Sequence, residues 1–170
     1  MIDVDLDFMD LLWAVQQADR DDGTHFLDGI NPHRDNKEIG HRGERGYHIY
    51  FPKATYVGHK ERRYDFLHPT YYPIPFVDVK GRRCKHRPGT HYWVNIRAAD
   101  MPRGKGVIYS FVFVDIIEHR VWLVGWIEAD VFAEEAQFFP KGSRQPDTNI
   151  ELYADTHSMK IHQLIPYERG

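Results

Sequence analysis

The chain has a single cysteine, Cys84, among 170 residues. No intrachain disulfide can form and no thiolate zinc finger can be built, so a reducing cytoplasm is the expected home. No stretch approaches the roughly eighteen consecutive apolar residues that a membrane-spanning helix needs. The first ten residues are acidic where a secretory leader is basic, so neither membrane insertion nor secretion is expected. Internal repeats and low-complexity tracts are missing. The eleven histidines include no His-x-x-x-His pair, which argues against a histidine-based metal finger. Gly104-Lys105-Gly106 lacks the spacing and the hydroxyl residue of a phosphate-binding Walker loop, which excludes nucleotide hydrolysis on that motif.

What is present is a folded globule. Hydrophobic residues make up 42% of the chain and aromatic residues 14%, enough for one domain spanning residues 1–170. The formal net charge of −3 conceals a strong asymmetry. Residues 53–105 carry twelve Lys and Arg against four acids, a net of +8, which leaves −11 for the rest. Such a block suits a polyanionic partner. Arg82, Arg83, Lys85 and Arg87 form its densest part, and Lys60 and Arg62 lie upstream. A merely solvated basic turn is the competing reading.

Inside the basic block stand two acids in apolar surroundings. Asp65 lies between Tyr64 and Phe66, and Asp78 opens the triplet Asp78-Val79-Lys80 in the run Ile74, Phe76, Val77, Val79. Side chains alternate along a strand, so Asp78 and Lys80 share one face while Val79 points into the core. The link between the two runs holds His68, Pro69, Thr70 and Pro73, turn formers that suit an antiparallel connection and would bring Asp65 close to Asp78. Paired carboxylates repel unless a cation separates them, and oxygen donors favour Mg²⁺ or Mn²⁺. The alternative is an ordinary structural ion pair. Gly81 is read as the point where the chain leaves the strand.

The order Gly43-Glu44, Tyr64-Asp65-Phe66 and Val77-Asp78-Val79-Lys80-Gly81 resembles the PD-(D/E)XK nuclease superfamily over about residues 38–166. The chain departs from the family's name pattern in having Tyr64 before Asp65 and Asp as its second acid. The resemblance implies a restriction-endonuclease-like α/β (α+β) fold, a central mixed β-sheet flanked by helices. It implies metal binding by Asp65, Asp78 and the Val79 carbonyl. Lys80 would orient or help deprotonate the attacking water. Glu44 would be the helix acid, with Glu38 as the alternative.

The expectation is a Mg²⁺- or Mn²⁺-dependent DNA endonuclease of phage or defence type. The alternative is a nucleic-acid-binding module that keeps the fold without cutting. A homodimer is conceivable where both strands are cut. His68 and His86 are the two histidines placed to reach substrate, whereas Trp93, Trp122 and Trp126 are read as core.

Local pattern places a first amphipathic helix at residues 6–18 and a long polar connection at 19–36. A helix follows at 39–51, weakened by Gly40, Gly43 and Gly46 at about 1 kcal/mol each relative to Ala. Strands are expected at 54–57, 63–67 and 74–80, while residues 92–96 suit either a strand or a helix, with a helix running to Ala99 favoured. A hairpin follows at 107–117 and 120–128. A helix at 128–139, a strand at 150–153 and a short closing element at 160–164 complete the reading.

Overall fold

The computed structural model describes residues 1–22, 32–57, 63–104, 106–146, 148 and 150–168. In chain order it has β1 (Ile2–Asp5), α1 (Phe8–Asp22), α2 (Pro32–Tyr50), β2 (Thr55–Tyr56), β3 (Phe66–Leu67), β4 (Phe76–Arg83) and β5 (Trp93–Arg97). There follow β6 (Ile108–Asp115), β7 (Arg120–Glu128), α3 (Ala129–Glu135), β8 (Gln137–Phe139) and β9 (Thr156–Lys160), with 3₁₀ turns at Ala98–Gly104 and Ile161–Gln163. The fold is mixed α+β. A six-stranded sheet has the order β1-β7-β6-β4-β3-β2, and a smaller sheet has β5-β9-β8. The large sheet is mixed, because β4 and β6 run parallel while its other pairs are antiparallel.

All eight residues of β6 are buried, as a central strand covered on both faces requires. One face packs Val77, Val79, Val112, Val114, Val121 and Leu123 with Ile39 and Tyr47 of α2. The opposite face packs Tyr109, Phe111, Phe113 and Trp122 with Val94, Ile96 and Met159 of the small sheet and Phe132 of α3. Burying each such side chain contributes about 1.5–3 kcal/mol, so both faces are strongly committed.

Helix α1 begins with a reciprocal cap. The Asp10 N–H donates to Asp7 Oδ1 (2.9 Å), and the Asp7 N–H donates to Asp10 Oδ2 (3.0 Å). Arg45 Nε then donates to Asp10 Oδ1 (2.6 Å), which ties α2 to the start of α1. Glycine lets α2 lie close on the sheet. A Cβ on Gly43 would stand 2.6 Å from Val112 Cγ2, and one on Gly46 would meet Val121 atoms at 2.7 Å. The glycines expected to weaken this helix therefore set how closely it approaches β6 and β7.

Several expectations are corrected. Residues 93–97 are a strand rather than a helix, because β5 finds a complete antiparallel partner in β9 from Trp93↔Lys160 to Arg97↔Thr156. Gly81 does not end β4, which continues to Arg83 along β6. Its missing side chain instead admits α2, since a Cβ there would lie 3.1 Å from the Ile39 carbonyl oxygen. The acidic start contains strand β1, paired with β7. The helix expected at 128–139 stops at Glu135 and gives way to β8. The late strand is Thr156–Lys160 rather than 150–153. Helices α1 and α2 extend to Asp22 and from Pro32, so most of the connection expected at 19–36 is helical or lies outside the described residues. No helix among the described residues is long and apolar enough to cross a membrane.

Candidate active site

The carboxylates meet because β3 and β4 pair antiparallel, with Phe66 opposite Val77 and Leu67 opposite Phe76. Just before β3, the Asp65 N–H donates to the Val77 carbonyl (2.8 Å), and the Val79 N–H donates to Asp65 Oδ2 (2.7 Å). Asp65 thus caps the edge of β4 where β3 stops. The N–H and C=O of one strand residue point to the same side, so the Val79 carbonyl faces the Asp65 edge, beyond the last residue that β3 pairs. Alternation sends Val79 into the α2 core, and Asp78 and Lys80 to the opposite face, where Lys80 Nζ contacts Asp78 Oδ2 at 2.6 Å. Their side chains retain 14% and 30% exposure, so a ligand has access to both.

Glu44 approaches from α2. His41 Nδ1 stands 3.0 Å from Glu44 Oε2, and the Tyr56 hydroxyl donates to the same oxygen (3.0 Å). Glu38 is turned elsewhere and accepts from Arg42 Nε (2.9 Å) and Nη2 (2.5 Å). Of the two helix acids, only Glu44 acts electrostatically on Asp65 and Asp78.

Burial pushes the Asp65 carboxyl well above the ordinary carboxylate range, and the charges of Glu44 and Asp78 push it further. The hydrogen bond from Val79 and the charge of Lys80 oppose this without prevailing. Asp78 is also raised by burial, with Lys80 pulling it down and Glu44 up. Burial draws Lys80 downward, but Asp78, Asp65 and Asp100 together carry it above the ordinary lysine value. The ammonium therefore stays charged, while the carboxylates crowd one another toward holding a proton.

This donor set fits a divalent ion. All candidate ligands are oxygens, and a cation would relieve the repulsion that a bound proton otherwise relieves. No group of three or more His, Cys, Asp or Glu is gathered for a metal among the described residues. Mg²⁺ in particular is commonly held by one or two carboxylates with retained waters and substrate phosphate rather than by a full protein cage.

Tyr109, opposite Asp78 on β6, carries no signal in the sequence. Its ring lies 5.6 Å from Lys80 Nζ, and its buried hydroxyl has no hydrogen-bond partner among the described residues. His41 and Tyr56 were also missed, although a His three residues before Glu44 on a helix is a recognisable contact spacing.

The basic residues divide. Arg82 is half-buried and donates to the Trp93 carbonyl (2.7 Å), bridging β4 to β5. Arg83 and Lys85 are exposed, and Arg87 pairs loosely with Asp3 (3.4 Å). Arg82 and Arg83 belong to strand β4, not to a loop. Lys60 and Arg62 lie outside the described residues. His68 is a correction, because it is buried with its Nδ1 2.9 Å from the Tyr47 hydroxyl. His86 is exposed, and its carbonyl accepts from Cys84 Sγ. Trp93 and Trp122 are buried in the core.

No family model matches the chain, no curated protein is similar to it, and no solved structure matches it.

Proposed function

We propose that the protein is a Mg²⁺- or Mn²⁺-dependent nuclease of the PD-(D/E)XK type, with a restriction-endonuclease-like sheet, that hydrolyses phosphodiester bonds in DNA. The observation that carries this reading is the convergence of Asp65, Asp78 and Lys80 at one strand edge, with raised carboxyl pKa values and Glu44 close by. Asp65, Asp78 and the Val79 carbonyl would hold the ion, which when bound would supply a Lewis acid for the phosphate and acidify a water.

The side chains do the remaining work. Lys80, kept as an ammonium by Asp78, opposes negative charge that develops on the phosphate. Its raised pKa makes it a poor general base, since an effective base titrates near the working pH. Val79 N–H fixes one Asp65 oxygen, and a side-chain hydrogen bond joins Asp65 to Asp78. His41 and Tyr56 orient Glu44 so that its charge bears on the same place.

Plasmid cleavage in Mg²⁺ or Mn²⁺ tests the reading. The native chain is expected to cut, and Asp78→Ala and Lys80→Ala to lose roughly a hundredfold or more. Equal cleavage by all three would reject the assignment. The short Lys80–Asp78 contact favours one second reading, a nuclease-like module that binds DNA through a structural ion pair. That module would bind DNA in a salt-dependent way and leave plasmid intact.

A further inference from the structure

Strand β3 pairs only Phe76 and Val77, whereas β4 runs on to Arg83. Beside this uncovered stretch lies a groove of about 790 Å³, bounded by α2, β5, β6 and residues 150–153. Lys37, Lys80, Arg82, Arg83 and Arg97 line it, with Glu151 as its one acid among the described residues. Arg144 Nη2 lies 3.9 Å from that acid and offsets its charge. Asp100 holds Arg97 at 2.7 Å and Asp78 holds Lys80 at 2.6 Å, so the strongest positive character falls on Arg82 and Arg83. Among the lining residues Tyr153 is 77% exposed, so its ring is open to solvent.

We infer that this groove binds a single-stranded DNA segment and leads it to Lys80. Cations along one wall track a phosphate backbone, and an exposed aromatic ring stacks an unpaired base, the combination that single-strand sites use. A duplex offers no free base face to Tyr153. The groove's volume matches a compact ligand, room for a few nucleotides and not for a helical turn. Lys80 belongs to both places, so a strand bound here has a phosphate beside Asp78. The direction of that strand rests on the nuclease reading, whereas its binding does not.

Fluorescence anisotropy with a labelled oligothymidylate and a blunt duplex of equal length, in EDTA so that nothing is cut, gives the test. The full-length chain is expected to bind the single strand more tightly, with affinity falling as salt rises. Tyr153→Ala should weaken single-strand binding roughly tenfold and leave the duplex value unchanged. Arg83→Glu should weaken both and flatten the salt dependence. Equal affinity for both probes, or no effect of Tyr153→Ala with an unchanged circular dichroism spectrum, would overturn the groove assignment. A native chain that binds but never cuts removes the nuclease alone, and one that cuts without regard to Tyr153 removes the groove alone.

Discussion

Two polar groups are buried on opposite faces of the same sheet, and they are settled in opposite ways. Beneath α2, the Tyr47 hydroxyl lies 2.9 Å from His68 Nδ1 and 3.3 Å from the Tyr72 hydroxyl, and Ser110 Oγ lies 2.6 Å from the Tyr167 hydroxyl. Burial holds His68 below the ordinary histidine value, so it stays neutral. Every group named there has a neutral partner. Across the sheet, at the β4 edge, Asp65 and Asp78 crowd one another, and the Tyr109 hydroxyl has no hydrogen-bond partner among the described residues. A closed set of neutral hydrogen bonds is scaffold, while crowded carboxylates that share one ammonium at an accessible edge would be relieved by a cation.

The sharpest way to break this contrast is Asp65→Asn. Cleavage should fall by roughly a hundredfold or more, while thermal stability without metal should rise at neutral pH. The sign follows from the raised Asp65 pKa. Between the ordinary value of 3.8 and the raised one, the native state holds a proton that the unfolded state has lost. Metal-free stability therefore declines as pH climbs above 3.8, and Asp65→Asn should flatten that decline in a pH series of thermal melts.

Next in size is the response to metal. Saturating Mn²⁺ at a hundred times its dissociation constant should stabilise the native chain by about 2.7 kcal/mol, and Asp65→Asn and Asp78→Asn should both lose this gain. An equal gain in all three chains would place the ion elsewhere.

Removing one hydroxyl on each face sharpens the comparison directly. Tyr47→Phe strands His68 Nδ1 and should cost about 1–3 kcal/mol in urea melts. Tyr109→Phe removes an unpartnered group and should cost nothing or stabilise slightly. Losses of equal size would mean that Tyr109 is as well satisfied as Tyr47.

Two glycines of α2 are expected to respond in opposite directions, the second with the smallest effect. Gly43→Ala forces a methyl onto Val112 and should destabilise by about 1–3 kcal/mol. Gly40→Ala meets nothing within 4 Å and should stabilise by about 0.5–1 kcal/mol.

Local pattern made part of this molecule legible. The alternation around Asp78, Val79 and Lys80 predicted which side chains share a face, and the turn formers at 68–73 predicted the pairing that gathers the carboxylates. The long hairpin of β6 and β7 announced itself through β-branched and aromatic runs. Strand β1 hid because the acids Asp3 and Asp5 drew attention to charge, although Ile2 and Val4 alternate with them as a half-exposed strand does. The start of α2 was missed because residues 32–36 were read with the polar connection, and its glycines were read as a weakness because their contacts with Val112 and Val121 lie far along the chain. Strand β5 was misread for a similar reason, since its partner begins more than sixty residues later. Tyr109 could not be singled out, because an unpaired hydroxyl is a property of surroundings.

The strand order β1-β7-β6-β4 places segments from early in the sequence on both sides of a hairpin made late. Glu44, Asp65, Asp78 and Lys80 have all been synthesised well before Ile108, yet β6 is the strand that pairs seven residues of β4, from Val77 to Arg83. A nascent polypeptide emerging from the ribosome up to Gly89 would thus hold Glu44, Asp65, Asp78 and Lys80 without the strand that aligns them, and these groups would come into register only after translation had passed Glu128.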